Sequence, residues 1–433
     1  MKGKIAIFLS MIFLFGSLSG CLGNSDDDSS NDSDDDSSND SDNSENNSTN
    51  NIDNNLTNNT ENNSTNNTDN NLTNNTDNNS TNNTDNNSTN NTDNNSTNNT
   101  DNNSTNNTDN NSTSEPEVSP YAITCPDGTN GTLEWGVVTC AEPEVFKTSD
   151  VSDETLNLTI EWYNIGAEEW GNFGPVEIYI IGEDIDAAKA LEDQYCERHK
   201  ALDSNWNEEW DCANENYEIF TRYVDEGGAA ISTFKRDYLE YDFMMMIMSA
   251  KYPGPTEDDY KPVTLHEYFH IFQHSQISDE CSSDNRDTCE RDSKMGGKDK
   301  PWFAEGGAEF MAQSLYSKQE GVRENYLKEV MQHKLEMSQD GYNSQDEALD
   351  QLGYDAQVNV YDVGTWFIAY LVHNEGEDAY IEGFYGDLDE LGFDAAFEAN
   401  FNKTKSDYLA EFDTFFQQPA EDVMALFDDV EAQ

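Results

Sequence analysis

His266-Glu267-Tyr268-Phe269-His270 is the stretch that constrains the fold of this 433-residue chain most strongly. Side chains four residues apart lie on one face of an α-helix, about one turn from each other. Two imidazoles at that spacing can bind one metal ion, and the glutamate between them stays close to water on that ion. The sequence therefore predicts a helix on which His266 and His270 are zinc ligands and Glu267 is a general base.

The segment PWFAEGGAEF, residues 301–310, can supply the third protein ligand that a catalytic zinc site needs. Glu305 is predicted to be that ligand. Glu309 lies one turn later and is predicted to accept a hydrogen bond from the far nitrogen of a liganding histidine, which fixes the tautomer of the ring. The reverse assignment, with Glu309 on the metal and Glu305 behind it, remains open. Gly306 and Gly307 carry no side chain and would let two helices approach closely.

Together these segments resemble the gluzincins, the zinc metallopeptidases of the thermolysin and aminopeptidase N group, in which a glutamate ligand follows HExxH on a later helix. They are most similar to the peptidase domain of bacterial collagenases, over residues 266–273 and 302–312. The resemblance implies an α+β fold with a mixed-sheet N-terminal lobe, a helical C-terminal lobe and the zinc in the cleft between them. It also implies a hydrolase of peptide bonds. The GAMEN strand, with which aminopeptidases hold a free substrate N-terminus, is missing, and this favours an endopeptidase.

The expected chemistry gives Glu267 and Tyr361 separate roles. Glu267 would take a proton from water activated by zinc and return it to the leaving amine. Tyr361, in VYDVG at residues 360–364, is similar in place to the tyrosine of the VYEKG segment of aminopeptidase N relatives. The resemblance implies that Tyr361 donates a hydrogen bond to the oxyanion; the alternative is an aromatic that only packs at a helix start. A second function also remains open, a surface binding or adhesion lipoprotein that kept the fold without turnover.

The N-terminus has the features of an export signal. Lys2 and Lys4 precede an apolar run that is too short to span a bilayer. The segment LSGC, residues 18–21, resembles a lipobox, the site at which lipoprotein signal peptidase cuts. Residues 1–20 are therefore predicted to be a lipoprotein signal peptide, and Cys21 the lipid anchor of an extracytoplasmic, membrane-anchored protein. An uncleaved N-terminal anchor helix is the alternative.

Residues 21–114 consist almost entirely of Asn, Asp, Ser and Thr. An octad recurs from Asp69 onward, but it lacks the apolar positions that a stacked repeat would bury, so a disordered spacer is predicted. Sequons such as Asn86-Asn87-Ser88 make the spacer a candidate for glycosylation. Residues 115–433 form the predicted metallopeptidase domain.

Charge and cysteine content restrict the partners and the compartment. The formal net charge is -66, with 22 Lys and Arg against 88 Asp and Glu. Nucleic acid is not expected as a partner, because phosphates are bound by Lys and Arg; a peptide or protein is the expected substrate. Besides Cys21, the cysteines form sequence-local couples without CxxC spacing, which predicts disulfides in an oxidising compartment. The couples are Cys125 with Cys140, Cys196 with Cys212, and Cys281 with Cys289.

The acidic insert at residues 279–299 is a candidate calcium site. Calcium prefers carboxylate and carbonyl oxygens, so an ion could bind to Asp284, Asp287, Glu290 or Asp292. The order of an EF-hand loop is not present. A solvated acidic loop closed by a disulfide is the alternative.

Hydrophobic periodicity predicts the secondary structure of residues 115–433. It indicates strands at residues 155–164, 175–181 and 243–248, a helix at residues 185–195, and mostly helix after Pro262. His274 lies about 12 Å of helix rise beyond His266, so one zinc cannot bind both, and it is predicted to be a surface residue or a support for the ligands.

Overall fold

A computed structural model describes residues 81–82, 85–86, 122–125, 130–214, 217–236, 238–278 and 290–428. The chain divides into a unit of residues 25–120 and a unit that contains residues 121–433. The described residues of the first unit form two short parallel strands, β1 (Thr81–Asn82) and β2 (Asp85–Asn86). The predicted signal peptide, Cys21 and most of the predicted spacer lie outside the described residues.

The second unit contains a mixed four-stranded sheet in the order β6-β8-β10-β9. Strands β6 and β10 run parallel to β8, whereas β9 is antiparallel to β10. Two small antiparallel pairs, β3 with β4 and β5 with β7, accompany the sheet. The strands are β3 (Ala122–Thr124), β4 (Asn130–Thr132), β5 (Val137–Val138), β6 (Glu144–Lys147), β7 (Phe173–Gly174), β8 (Val176–Ile181), β9 (Ala229–Phe234) and β10 (Phe243–Ser249).

Helices cover the sheet and make up nearly all of the chain that follows it. The α-helices are α1 (Asp153–Trp170), α2 (Ile185–Leu202), α3 (Glu208–Asp211), α4 (Thr221–Glu226), α5 (Tyr260–Ser275), α6 (Glu290–Lys294), α7 (Ala304–Ser317), α8 (Tyr326–Asn343), α9 (Val360–Glu375), α10 (Tyr385–Leu391), α11 (Phe393–Phe401), α12 (Lys405–Phe416) and α13 (Ala420–Met424). Leu349–Gln351 and Ala425–Phe427 are 3₁₀ turns, and Ala379–Phe384 is a π-helical turn. The predicted α+β class is therefore confirmed.

Strand β10 is buried on both faces, as its continuous apolar sequence predicts. Side chains alternate between the faces of a strand. Met244 and Met246 belong to the large core that includes α1 and α5, whereas Met245 and Ile247 belong to a second core against α2 and α4. The sheet thus lies between two helical layers, and α5 is the helix that joins it to the helical C-terminal part.

The predicted strand at residues 155–164 is wrong, because this segment lies inside α1. Its buried residues recur at helical spacing over the whole helix, through Thr155, Thr159, Trp162 and Trp170, and this longer period prevails over a short local alternation. The hydroxyl of Ser152 caps the helix by accepting from the backbone N–H of Thr155. The predicted strand at residues 175–181 and the predicted helix at residues 185–195 are confirmed.

Two of the predicted disulfides are present. Cys125 bonds to Cys140, and Cys196 bonds to Cys212. The couple Cys281–Cys289 lies outside the described residues, as do Asp284 and Asp287 of the calcium prediction. Within the described part of the chain, no helix is both long and apolar enough to cross a membrane.

Candidate metal centre

Helix α5 carries the HExxH residues through the middle of the protein. It packs against α1, α7 and the edge strand β9, and every residue from Pro262 to His274 is buried. Gly166 of α1 makes this packing possible, because a Cβ there would lie 2.7 Å from the ring of Tyr268. Of the two predictions for His274, the surface position is wrong: its side chain is 2 % exposed, and its Nδ1 has no hydrogen-bond partner among the described residues.

Three potential ligand atoms converge between α5 and α7. The Nε2 atoms of His266 and His270 are 3.2 Å apart, and each lies 3.2 Å from Oε2 of Glu305. Two ligands of a tetrahedral zinc ion are separated by about 3.3 Å when each bond is about 2.05 Å. The spacing of the three atoms therefore fits one small ion, and these residues form a buried group that could hold a metal.

The hydrogen bonds behind the two histidines fix which ring nitrogens carry protons. Nδ1 of His266 lies 3.1 Å from Oε2 of Glu309, an oxygen that can only accept. Nδ1 of His270 lies 2.7 Å from Oε1 of Gln273. The amide group of Gln273 is oriented because its nitrogen donates to the carbonyl of Ala304 and to the hydroxyl of Tyr385. With Nδ1 engaged behind each ring, Nε2 is the nitrogen that faces the carboxylate of Glu305, where it can share a proton or bind a metal ion.

The geometry distinguishes the two glutamates of α7. Oε2 of Glu309 accepts from His266, and its Oε1 accepts from Gln313 at 3.1 Å and lies 2.8 Å from Nζ of Lys334. Both oxygens are engaged on the Nδ1 side of the ring, away from the converging Nε2 atoms. The structure therefore brings Glu305, and not Glu309, to the Nε2 atoms of both histidines, which favours the first of the two sequence assignments.

The electrostatics of the centre favour a positive charge. Burial lowers the pKa of His266, but hydrogen bonds to Glu305 and Glu309 outweigh it and raise the pKa to about 10. Burial raises the pKa of Glu305, yet the charges and hydrogen bonds of His270 and His266 lower it to about 2. A site that binds a proton this firmly also attracts a divalent cation, because both respond to the same carboxylates.

Glu267 lies next to His266 on α5 but is not one of the three converging groups. Its side chain is 2 % exposed, and its Oε2 has no hydrogen-bond partner among the described residues. Burial raises the pKa of Glu267 against the lowering charges of His266 and His270. A buried carboxylate with a free oxygen and a raised pKa is suited to take and return a proton near neutral pH.

The glycines of α7 have the role that the sequence suggests. A Cβ on Gly306 would lie 2.4 Å from the carbonyl carbon of Gly364 in α9, and a Cβ on Gly307 would lie 2.2 Å from the hydroxyl of Tyr380. Real side chains do not approach so closely. The backbones of α7 and α9 are therefore in direct contact next to Glu305.

A second tyrosine, Tyr354, was not identified from the sequence. Its hydroxyl lies 3.4 Å from Oε1 of Glu305, and its ring centroid is 6.2 Å from that of Tyr361. Tyr361 is the second residue of α9, and its role stays a prediction. Tyr354 also lines a cavity of about 1050 Å³ between residues 299–300 and residues 351–358, so that cavity adjoins the candidate metal centre. No periodic pattern in the sequence predicts the contact between Tyr354 and Glu305, because Tyr354 lies in a loop.

Lys334 of α8 was also missed. Its Nζ lies 2.8 Å from Oε1 of Glu309 and 3.0 Å from Oδ1 of Asp362 in α9. The sequence did contain a signal for Lys334. The buried face of the helix is formed by residues at helical spacing, and a lysine stands among them. These residues are Met331, Lys334, Leu335 and Ser338.

The calcium prediction is left without a test. Of its four residues, Asp292 alone has a described side chain, which lies 3.8 Å from Nε of Arg291. Burial raises the pKa of Asp292, against the lowering charge of Arg291. Among the described residues, the group of potential metal ligands is the one formed by His266, His270 and Glu305.

No protein-family model matches the chain, and a comparison with curated proteins finds no match.

Proposed function

We propose that residues 115–433 form a zinc-dependent peptidase of gluzincin type, with His266, His270 and Glu305 as the metal ligands. The observation that carries the proposal is the convergence of three buried acceptor atoms at 3.2 Å, next to a carboxylate with a free oxygen. Two histidines and one glutamate make up the ligand set of a catalytic zinc site that keeps one position open. The mixed sheet and the helical C-terminal part are then the two lobes, with the centre between them.

His266, His270 and Glu305 would hold the zinc ion, which would supply the Lewis acidity that makes water a nucleophile near neutral pH. Glu267 would take a proton from the attacking water and give it to the amine that leaves as the C–N bond breaks. Glu309 and Gln273 hold the two imidazoles in the tautomer that leaves Nε2 free for the metal. Tyr361 donates to the oxyanion, a role that a neutral phenol can fill at pH 7.

An extended peptide is the substrate that best suits the surroundings of the centre. In the described sheet, β9 pairs with β10 on one side only, and it packs against the helix that carries the ligands. A peptide can add to such an edge through backbone hydrogen bonds. The cavity next to Tyr354 offers room for a substrate side chain. We propose that the protein is an endopeptidase outside the cytoplasm. Cys21 would anchor it to the membrane, and residues 21–114 would separate the peptidase domain from the membrane surface.

A binding or adhesion lipoprotein without turnover is the competing function. It would not need a general base, and neutral residues could occupy position 267 at no cost to the fold. The buried position of Glu267 favours turnover, because a buried carboxylate with an oxygen unpartnered among the described residues lowers stability, and a binding protein gains nothing from it.

The test is metal analysis and peptide-library profiling of residues 115–433 purified from a secretory host. About one zinc per chain and cleavage that a chelator abolishes are expected. His266→Ala should lose zinc, whereas Glu267→Gln should keep zinc and lose at least about 10² in kcat. His333→Ala is the matched control, since this histidine is exposed on α8. Full cleavage by metal-free protein, or by the Glu267→Gln variant, would refute the proposal.

A further inference from the structure

Lys334 is a buried lysine whose charge is shared between two carboxylates of different helices. Lys334 is 8 % exposed, and its Nζ contacts Glu309 of α7 and Asp362 of α9. Burial lowers the pKa of Lys334, but the charges of Asp362 and Glu309 raise it above its usual value. The side chain is therefore a permanent cation inside the protein.

A buried ion pair is a costly way to gain stability, because each charge gives up its hydration. An apolar residue at position 334 would continue the stripe of Met331 and Leu335 at less cost. The position of the charge thus suggests a role beyond packing. Lys334 lies directly behind Glu309, the residue that contacts Nδ1 of His266.

The contacts form a continuous chain from the metal centre to the start of α9. His266 contacts Oε2 of Glu309, Oε1 of Glu309 contacts Lys334, and Lys334 contacts Oδ1 of Asp362. Oδ2 of Asp362 accepts from the side chain of Asn359 at 2.8 Å. The oxygen of the same Asn359 side chain caps α9 by accepting from backbone N–H groups of its first turn.

We infer that Lys334 is a positioning residue of the metal centre. By holding Oε1 of Glu309, it aims Oε2 at Nδ1 of His266 and so keeps Nε2 free to bind the metal. By holding Asp362, it fixes the first turn of α9 relative to that centre. The inference rests on the proposed metal site, and it adds a residue that acts on the metal through Glu309.

Gln313 also donates to Oε1 of Glu309, so the carboxylate keeps one donor when Lys334 is removed. It loses the charged contact, however, and charged hydrogen bonds are about twice as strong as neutral ones. Glu309 would then be free to rotate away from His266. Weaker metal binding, and not simply a less stable fold, is the expected result.

The experiment measures zinc affinity by competition with a chromogenic chelator. Lys334→Met should bind zinc about 10- to 100-fold more weakly, the usual effect of disturbing a residue behind a metal ligand. Lys294→Met is the matched control. Lys294 is likewise buried and contacts a carboxylate, Asp389 at 3.0 Å, but that residue lies outside the metal centre. Its zinc affinity should stay within twofold of wild type.

A double-mutant cycle tests whether Lys334 acts through Glu309. If it does, Lys334→Met should weaken zinc binding little further in a Glu309→Gln background. Additive losses would overturn the inference, as would a wild-type affinity for Lys334→Met itself.

Should Lys334→Met not fold, Lys334→Gln takes its place. This variant keeps a polar side chain between Glu309 and Asp362 but removes the charge, and its zinc affinity should fall by about tenfold. An unchanged affinity would overturn the inference. Wild-type protein that binds no zinc would instead refute the proposed function, so the two failures are distinct.

Discussion

Gly306→Ala tests whether direct contact between two helix backbones holds Glu305 in place. The added Cβ would lie 2.4 Å from the carbonyl carbon of Gly364 and 2.6 Å from its oxygen. Carbon atoms in favourable contact are about 3.5 to 4.0 Å apart, so α7 and α9 must separate locally by about 1.1 to 1.6 Å. Because backbone atoms cannot rotate away, the shift must fall on the helices themselves.

The expected loss of stability follows from two opposing contributions. Overpacking of a core costs typically 1 to 3 kcal/mol, and a clash with backbone should lie near the upper end, about 3 kcal/mol. Alanine is favoured over glycine in a helix by about 1 kcal/mol. The net loss of about 2 kcal/mol should lower Tm by roughly 3 °C, because a domain of about 320 residues has an unfolding entropy of about 0.7 kcal/mol/K.

The metal should respond more strongly than the fold. Ligand distances in a metal site are held to about 0.2 Å, much less than the shift that the alanine requires. Zinc affinity should therefore fall at least about tenfold, the effect of disturbing a residue that orients a metal ligand. The assays are thermal unfolding of the metal-free domain and chelator competition.

Gly386→Ala is the control for this experiment. Gly386 lies in α10, and a Cβ there would meet nothing within 4 Å. This variant should be as stable as wild type or more stable by up to about 1 kcal/mol, with unchanged zinc affinity. A Gly306→Ala protein with wild-type Tm and zinc affinity would show that the two helices are not in contact at this position.

Three further outcomes are expected. Tyr361→Phe should lower kcat by about 10² to 10³ at normal zinc content. Tyr354→Phe should instead weaken zinc binding, because the hydroxyl of Tyr354 contacts Glu305. The reverse pattern would exchange the roles of the two tyrosines. Burial raises the pKa of Glu177, but His199 and Arg198 hold it below the usual 4.5. The stabilisation by the ionised Glu177 carboxylate is fully present above about pH 4.5 and is lost on acidification. The fall in Tm from pH 7 to pH 3 should therefore be smaller in Glu177→Gln than in wild type. Non-reducing peptide mapping should recover the Cys281–Cys289 disulfide, and free thiols there would contradict it.

Several features could be predicted from the sequence because they depend on local geometry. The spacing of His266 and His270 is set by the helical repeat. The strand at residues 243–248 could be predicted from its continuous apolar run, and two disulfides from the short separation of their cysteines. The helix α1 was missed because an alternation of a few residues obscured a helical period that extends over 18.

The residues around the metal centre show where prediction from sequence stops. The sequence favoured Glu305 as the ligand but left the reverse assignment with Glu309 open, since both lie on one face of α7. They differ in the structure because Lys334 and Gln313 occupy one oxygen of Glu309 and His266 the other. Those partners belong to α8, to the next turn of α7 and to α5, and no local pattern states which helices will meet.

The sequence by itself determined the helix that carries the two histidines, the mixed α+β class and the glycines that let helices touch. Tertiary structure alone decided which glutamate reaches the histidines, that Tyr354 contacts Glu305, and that Lys334 joins α7 to α9. The physical reason is the range of the interactions. Helical spacing and strand alternation are fixed by a few neighbouring residues, whereas hydrogen bonds at the centre join side chains from separate helices that come together only when the core packs.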